Sequence, residues 1–594
     1  MLIPKILTVI FILVALGLVV LLIIAAWKHR NPPIPETDLE DLKDLGPVAT
    51  NRWLYVLRVF FILMLITLLG FHSFWAFRAD HQPEFIQAKK YDQRNRRLAE
   101  SGLKGWVLDR TGNLENALIR YRSDNGVIVR EYPLGGAAVH LTGFSDFILG
   151  SGGMEHAYRD WLTEPTSVMN QLQSPTPVGK DLKVSVDSSL QREAYNLIQS
   201  TNQPAAAVVL LLPNNEVLAM ASTPTFDPHI IEDDKAWDKL TSQVEDAQPI
   251  SPMVNRALGT LVTGGSAFYY RPGSTFKTFI AAVAIDLGIT EEKFTCRAEG
   301  FTPPGSGREI KDYRGEVHGT IGLRDAFTHS CNQYFSQLGL KIGRERLATY
   351  AKKLHFTVSP DDNTRRAFDL WHSEHGDKDD FNYVFAPPVH KMNLSSKATD
   401  YDVALQSIGQ GFTDLTVMEM AVLSATVANS DGKYIAPTFE TGGQKKEITD
   451  FIKPQSAAKL RELMKLVVQS GTAQGAFSSY SGRFTAGGKT GTADRDVLVF
   501  DKATGKPVLD YKDKDGNPHY KFTGYTDSWF IGFAPADNPQ IAFAVMVENG
   551  GQGAKAAAPI AAKLIEKAQS LGYVRSGQHS QAPSRKPSKT SGNQ

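Results

Sequence analysis

The sequence has few of the residues that mark metal and redox proteins. Only two of its 594 residues are cysteine, Cys296 and Cys331. Neither belongs to a Cys-x-x-Cys pair or to a cysteine–histidine cluster, so zinc and iron–sulfur sites have no support, and we predict no metal ligand and no cofactor. The two cysteines could form one disulfide in an oxidising compartment or remain free thiols.

The chain also lacks an excess of charge of either sign. Its 64 Lys and Arg residues are balanced by 63 Asp and Glu residues, which leaves a formal net charge of +1. Nucleic-acid-binding domains are usually strongly basic, so this balance gives no electrostatic case for nucleic acid as a partner. Hydrophobic residues make up 42% of the chain, which is enough for a large packed core.

Two long hydrophobic runs lie near the N-terminus. Residues 6–27 contain no charged side chain, and a helix of this length, rising ~1.5 Å per residue, can span a bilayer. Residues 59–77 are just long enough and have aromatic residues near their ends, as interfacial anchors do. We predict a first transmembrane helix within 1–27, a short loop at 28–52 and a second helix at 53–77. A signal peptide and a soluble core helix are the respective alternatives, and the flanking Lys and Arg residues do not decide the orientation.

The rest of the chain has the pattern of an α/β protein. The segment "PAAAVVLLLPNNEVLAMAS" predicts a hairpin that turns at residues 213–215, and "DSWFIGFAPADNPQIAFAVMVEN" predicts a second that turns at 535–539. Helical patterns lie between them, such as those from Leu323 to Leu338 and from Val417 to Val427. Strands at both ends with helices between them predict a mostly antiparallel sheet flanked by helices.

A lysine in an apolar segment gives the first chemical clue. The segment "RPGSTFKTFIAAVAI" predicts a turn followed by an apolar helix, on which Lys277 lies one turn after Ser274. A lysine is rarely buried without a partner, and burial lowers the pKa of an amine. A neutral amine beside a hydroxyl is a general base beside a nucleophile. The same spacing at Ser456 and Lys459 is explained by a helix cap and a solvated lysine, so the spacing alone decides little.

A second pattern, Ser330-x-Asn332, occurs in "THSCNQYF". It is weak alone, because Ser-x-Asn also occurs at Ser200 and Ser591 in segments with no other chemical signal. Its weight comes from its position between the serine–lysine pair and a third motif.

The third motif is Lys489-Thr490-Gly491-Thr492 in "AGGKTGTAD", which contains the single Lys-Thr-Gly of the chain. On a strand at the edge of a sheet, the two threonines would share a face, and the glycine would allow a ligand backbone to approach closely. The lysine would offer positive charge to a substrate carboxylate. The three motifs, in this order, are the set found in penicillin-binding proteins and class A β-lactamases.

Beyond these motifs the chain resembles the class B, monofunctional penicillin-binding proteins. The segments "GWVLDRTGN", "YPLGGAAVHLTGF" and "GGMEHAYRDWL" are similar to parts of the family's pedestal, and "VDSSLQREAY" and "LQSIGQGFTDLTVMEMAVLSATVANSDGKYIAP" to parts of its transpeptidase domain. The resemblance implies an α/β (α+β) penicilloyl-serine-transferase transpeptidase domain at 181–573. It also implies an N-terminal pedestal, similar to a dimerisation domain, at 78–180. A disordered tail is predicted at 574–594.

The resemblance also implies a role for each motif residue. The Ser274 hydroxyl would attack the penultimate D-alanine of a peptidoglycan stem peptide, and Lys277 would take its proton. Ser330 would relay a proton to the leaving D-alanine, and Asn332 would bind the donor amide. The substrate carboxylate would be held by the third motif, and the oxyanion by backbone N–H groups. These binding groups are Lys489, Thr490, Gly491 and Thr492 for the substrate, and Ser274 and Thr492 for the oxyanion.

The implied setting is the bacterial cytoplasmic membrane, with the catalytic domain outside and residues 28–52 cytoplasmic. β-Lactams would acylate the same serine, and a polytopic glycan polymerase is the implied partner. Class B enzymes usually have one span, whereas two are predicted here. A D,D-carboxypeptidase, which uses water as the acceptor, and a non-catalytic cell-wall scaffold or β-lactam sensor remain the alternatives. A P-loop is excluded, because Arg483 stands where its first glycine is required.

Overall fold

The computed structural model describes most of the chain after residue 102. The described residues are 57, 60–62, 64–75, 103–124, 127–146, 150–164, 178–245, 251–263, 269–358, 391–442, 447–499, 501, 508–512 and 518–575. The chain divides into two compact units, residues 1–96 and 97–594.

In the first unit the described backbone is helical, including all of residues 64–75. Among the residues that the structure describes, no helix combines the length and the apolar character needed to cross a membrane. The first predicted span, at 6–27, lies outside the described residues, and the second, at 59–77, lies only partly within them. Both spans therefore stay predictions.

The second unit contains all the strands and the longer helices described here. Its strands are β1 Val107–Leu108, β2 Arg120–Asp124, β3 Val127–Glu131, β4 Ser145–Asp146, β5 Gly150–Ser151, β6 Leu182–Lys183, β7 Ala205–Leu211, β8 Glu216–Thr223, β9 Val254–Asn255, β10 Thr260–Leu261, β11 Phe294–Cys296, β12 Gly319–Ile321, β13 Lys433–Ile435, β14 Glu447–Asp450, β15 Gly487–Leu498, β16 Leu509–Lys512, β17 Pro518–Tyr520, β18 Phe522–Ala534 and β19 Ile541–Val547.

The α-helices of this unit lie between the strands and after the last one. They are α1 Val139–Thr142, α2 Gly153–Ala157, α3 Arg159–Thr163, α4 Ser188–Gln199, α5 Asp234–Glu245, α6 Lys277–Asp286, α7 Leu323–Thr328, α8 Asn332–Ile342, α9 Arg344–Lys353, α10 Asp400–Gln406, α11 Val417–Ala428, α12 Pro454–Gln469, α13 Gln474–Phe477 and α14 Ala557–Ser570. Short 3-10 helices cover Leu114–Asn116, Gly135–Ala137, Pro228–Glu232, Gly273–Phe276, Tyr313–Gly315 and Ser478–Tyr480.

A five-stranded antiparallel sheet, in the order β15-β18-β19-β7-β8, forms the centre of this unit. Both predicted hairpins are confirmed: β7 pairs with β8 and β18 pairs with β19. The two hairpins join through β19 and β7, whose residues are almost all buried. A buried apolar strand needs a hydrogen-bonded neighbouring strand on each side, so β7 and β19, from the two ends of the domain, pair with each other. β15, which carries the third motif, is left at the edge.

Helices cover this sheet, as predicted. α11 is buried along its whole length and packs against β7, β18 and β19. It begins where the Thr416 side chain accepts a hydrogen bond from Glu419 N, which satisfies one free N–H group of the first turn. α4 and α14 pack against each other and against the same sheet. The prediction of a helix from Val417 to Val427 is therefore confirmed.

The predicted helical pattern from Leu323 to Leu338 is confirmed, but it forms two helices rather than one. The structure has α7 and α8 there, separated at His329–Cys331. The break lies in the second motif.

The segment predicted as a pedestal forms β1–β5 and α1–α3. Its Glu155 is fully buried between Lys104 Nζ at 3.2 Å and Arg130 Nε at 2.8 Å. Burial would raise the pKa of this carboxyl, but the two cations hold it below its usual value. The boundary between residues 180 and 181 stays a prediction. Of the tail predicted at 574–594, Val574 is buried, and the residues after 575 lie outside the described ones.

Candidate active site

The Ser-x-x-Lys motif lies where a 3-10 helix becomes α6. Pro272 and Gly273 form the turn, Ser274 lies in the 3-10 helix Gly273–Phe276, and Lys277 begins α6. All residues of α6 are buried, whereas Ser274 is partly exposed. The predicted helix start beside the serine is therefore confirmed. The serine reaches solvent while the lysine one turn later does not.

The buried amine of Lys277 is surrounded by polar groups of the second motif. Its Nζ donates hydrogen bonds to Ser330 O at 2.6 Å, to Asn332 Oδ1 at 2.7 Å and to Ser330 Oγ at 3.3 Å. Burial lowers the pKa of Lys277 to about 8, although the nearby Cys331, Asp312 and Cys296 act to raise it. A pKa near that value leaves about one tenth of the amine neutral at neutral pH, which suits a general base.

The second motif is a helix end followed at once by a helix start. After α7, Ser330 N donates to Phe327 O at 3.3 Å and Cys331 N donates to Ala326 O at 2.9 Å. This pair of bonds is a Schellman cap, whose left-handed residue is usually glycine. Here it is Ser330, with φ of 62°. Cys331 then caps α8 by accepting a hydrogen bond from Tyr334 N. The serine hydroxyl and the Asn332 amide thereby face Lys277.

The third motif approaches the serine from β15. Lys489 is fully buried, and its Nζ donates to Ser330 Oγ at 2.8 Å. Burial, with the neighbouring Lys277 as a second cause, holds the pKa of Lys489 well below its ordinary value. Thr490 is also buried and shares a 2.6 Å hydrogen bond with Thr472, whereas Thr492 is partly exposed. The three motifs therefore meet around one hydroxyl, that of Ser330.

Glycines let the backbones of the site approach closely. A Cβ on Gly273 would lie 2.5 Å from Thr492 O, and one on Gly491 would lie 2.9 Å from Pro272 O. The segments that carry the predicted oxyanion-hole residues, Ser274 and Thr492, are thus adjacent. Gly409 approaches from the other side: it has φ of 74°, and its Cβ would lie 2.0 Å from Gly273 O. Sequence interpretation missed Gly409, although it stands in the segment "SIGQGF".

The second Ser-x-x-Lys pair differs from the first. Ser456 is buried in the first turn of α12, whereas Lys459 is exposed. The predicted solvated lysine is confirmed. The predicted helix cap is wrong, because the capping position is Lys453 and Pro454 opens the helix.

Residues 205–566 match the family described as the penicillin binding protein transpeptidase domain, which is more than half of the chain. The chain belongs to this family. The peptidoglycan D,D-transpeptidase PbpA of Mycobacterium tuberculosis is 28% identical over 425 residues, covering 66% of this chain and 73% of the relative. The peptidoglycan D,D-transpeptidase MrdA of Acinetobacter baumannii is 26% identical over 430 residues, which cover 70% of this chain and 57% of the relative.

A solved structure in the same family has a covalent ligand. The ceftriaxone acyl-enzyme complex of penicillin-binding protein A from M. tuberculosis has a TM-score of 0.61 to this chain and is 25% identical, over 79% of this chain and 98% of that one. The sequence-based identification of a class B penicillin-binding protein is confirmed by these relatives.

Next to the family's motifs lies a cluster that the sequence gave no reason to expect. Cys296, Asp312, His318 and Cys331 place one ligand atom each within 4.8 Å of one another. The two sulfur atoms are 2.8 Å apart as free thiols, and His318 Nδ1 is buried without a hydrogen bond. Two thiols, an imidazole and a carboxylate suit a tetrahedral divalent cation such as Zn²⁺. Sequence interpretation, which predicted no metal ligand, missed the cluster because its four members are spread over residues 296–331 without a Cys-x-x-Cys pair or another close spacing.

Asp312 also has a structural role in this cluster. Its carboxylate accepts hydrogen bonds from Asn332 N, from Gln333 N at 3.4 Å and from Gln333 Nε2 at 3.0 Å. A carboxylate at these free N–H groups stabilises the start of α8. Asp312 therefore fixes the backbone of Asn332, one of the partners of Lys277.

We expect acylation by penicillin to depend on pH through Lys277. Only the neutral amine can accept the serine proton, so the acylation rate should rise as pH increases towards about 8 and level off above it. Lys277→Ala should lower the rate by about 10²–10⁴-fold and remove this pH dependence. Lys459→Ala is the control, because the exposed Lys459 follows Ser456 at the same spacing; this change should alter neither the acylation rate nor its pH dependence. A pH-independent rate in the unaltered protein would contradict the assignment.

We expect Gly409→Ala to be far more harmful than Gly288→Ala. Both glycines have φ of 74°, but a Cβ on Gly288 meets nothing within 4 Å. The left-handed conformation should cost about 1–2 kcal/mol at either site, and the clash with Gly273 should add about 1–3 kcal/mol at Gly409 only. Thermal unfolding measures the loss of stability in each variant, and the rate of penicillin acylation measures the damage to the site. Equal losses at both sites would show that the close approach to Gly273 is unimportant.

Proposed function

We propose that this chain is a peptidoglycan D,D-transpeptidase that works through an acyl-enzyme on Ser274. One observation carries the assignment: the hydroxyl of Ser330 is hydrogen-bonded both to Lys277 and to Lys489, and Lys277 begins α6 one turn after Ser274. This arrangement provides a buried base and a connected path for the proton, one helical turn from the proposed nucleophile. Membership of the family supports the same reaction.

In the first half-reaction, Ser274 Oγ attacks the carbonyl carbon of the penultimate D-alanine of a stem peptide. Its proton passes to the neutral amine of Lys277, and a C–O bond forms. The C–N bond to the terminal D-alanine then breaks, and the leaving nitrogen takes a proton through the hydroxyl of Ser330. The 3.3 Å and 2.8 Å contacts of that hydroxyl with the two lysines support this route.

In the second half-reaction, an amine of a neighbouring stem peptide attacks the ester carbonyl. The Lys277 amine takes the proton of the attacking nitrogen, the ester C–O bond breaks, and the proton returns to Ser274. The product is a new amide crosslink. A β-lactam acylates the same serine by opening its own ring, and the adduct persists because no amine resolves it.

The substrate is held by the third motif and by backbone N–H groups. Of the three polar residues assigned to the substrate carboxylate, Thr492 is the partly exposed one, so it makes the direct contact in this proposal. The buried Lys489 contributes indirectly in this proposal, through its hydrogen bond to the Ser330 hydroxyl. The hydrogen bond between Thr490 and Thr472 orients the Thr490 side chain. The N–H groups of Ser274 and Thr492 stabilise the oxyanion, an effect worth about 3–4 kcal/mol in comparable sites.

The two hydrophobic runs at the N-terminus place this activity at the membrane in our proposal. Spans within 1–27 and 53–77 would anchor the chain in the cytoplasmic membrane and leave the catalytic unit outside, where the glycan lies. A polytopic glycan polymerase would then supply new strands beside it. Protease protection in sealed membrane vesicles tests this topology.

Labelling with a fluorescent penicillin tests the acyl-enzyme. We expect the full-length protein in detergent to form a stable adduct that Ser274→Ala abolishes. Ser456→Ala, the serine of the matched spacing, should label normally. A label that forms and clears within seconds would indicate a β-lactamase, and a label that survives Ser274→Ala would refute the assigned nucleophile.

Product analysis separates the transpeptidase from a carboxypeptidase. With lipid-linked substrate and a polymerase, we expect crosslinked peptide dimers together with free D-alanine, both lost in Ser274→Ala. Trimmed peptides without dimers would instead identify water as the acceptor.

A further inference from the structure

A group of four charged residues, three of them buried and the fourth, Arg495, partly buried, lies beside the site and has no part in the proposed chemistry. Glu548 is 4% exposed and accepts hydrogen bonds from Arg256 Nε at 2.7 Å, from Tyr270 Oη at 2.8 Å and from Arg495 Nη2 at 2.8 Å. Arg495 also donates to both oxygens of Asp527, at 2.8 and 3.2 Å. Two arginines and two carboxylates compensate each other, which makes their burial tolerable.

This group bonds to segments that form the active site. Tyr270 stands in the loop that leads to Ser274, and Arg495 lies on β15, three residues after Thr492. Asp527 pairs with Ala493 across β15 and β18, and Glu548 follows β19. Glu548 therefore connects the nucleophile's loop to the strand that carries the third motif.

Among the described residues, hydrogen bonds link this loop to β15 along two routes. The first, from Arg271 Nη1 to Asp494 O at 3.2 Å, is exposed to solvent. The second runs through Tyr270, Glu548 and Arg495 and is buried or partly buried at every step. The backbone bonds of the loop go elsewhere, from Tyr270 to Leu415 and from Gly273 to Gly409. The glycine contacts permit the close approach of loop and strand, but they give it no directional bond.

We infer that Tyr270, Glu548 and Arg495 are positioning residues that fix the distance between Ser274 and the oxyanion-binding strand. The inference rests on the proposed function, because the distance matters only if an oxyanion forms there. Attack requires the reacting atoms to be held about 3–3.5 Å apart, and small displacements slow it strongly. The tyrosine hydroxyl remains a donor, because burial and the charge of Glu548 raise its pKa well above the usual value.

The chain offers a matched control for this role. Tyr434 Oη donates to Glu419 Oε2 at 2.9 Å, and both residues are buried. Burial and Glu419 raise the pKa of Tyr434 in the same way. Tyr434 belongs to β13 and Glu419 to α11, neither of which carries a motif residue. Tyr→Phe at either position removes one hydroxyl from a buried carboxylate without changing the ring.

The test measures penicillin acylation of the full-length protein as a function of penicillin concentration. This separates the rate constant of acylation in the bound complex from the dissociation constant. We expect Tyr270→Phe to lower that rate constant by about tenfold or more, with the dissociation constant changed less than twofold. Tyr434→Phe should lower the unfolding temperature to a similar extent and leave both constants within twofold.

The outcomes separate this inference from the function on which it rests. If the unaltered protein forms no adduct, the proposed function fails and the positioning role fails with it. If the unaltered protein is acylated and Tyr270→Phe acylates within twofold of it, only the positioning role is overturned. Equal losses of the rate constant in the two tyrosine variants would also overturn it, because a general loss of stability would then explain both.

Discussion

The burial of the Lys277 amine is the constraint on which the site depends. An amine removed from water needs hydrogen-bond acceptors, and here they are a backbone carbonyl and an amide oxygen of the second motif. Those acceptors face the lysine only because α7 ends and α8 begins within three residues. The left-handed conformation of Ser330 thus meets the need of the buried Lys277 amine, 53 positions earlier in the chain, for hydrogen-bond acceptors. Lys489 adds a second buried amine, and the proximity of the two cations favours loss of a proton from one of them.

The close approach of three backbones is the second constraint. Segments around Gly273, Gly409 and Gly491 come from distant parts of the chain and meet without side chains between them. Only glycine allows this, at Gly409 because of both its φ and its contact. Backbone packing therefore brings together the segments of the proposed oxyanion site, and the buried hydrogen bonds from Tyr270 to Glu548 and from Arg495 to Glu548 link them, so such a site would be preorganised.

The elements that sequence could predict are those with local signals. The hairpins followed from apolar runs around tight turns, and the serine–lysine pair followed from one turn of helix. The break at Ser330 was missed because its cap uses serine where glycine is usual. The cluster around Asp312 and the bond from Tyr270 to Glu548, separated by 278 positions, have no local signal at all. Tertiary packing alone brings such residues together, and no spacing rule applies to them.

The charges around the serine fall into two sets with different electrostatic consequences. Lys277 and Lys489 both bond the Ser330 hydroxyl, and no acidic side chain bonds either amine in the described part of the chain, so whichever amine keeps its proton would favour an anionic group at the proposed site. The group formed by Arg256, Arg495, Asp527 and Glu548 sums to zero, so it adds little to that field. Because this group has no net charge, it can hold the loop against β15 without opposing the lowered pKa values of the two lysines that the proposed chemistry needs. The separation of the two sets lets one part of the fold hold the geometry while the other tunes the proton transfer.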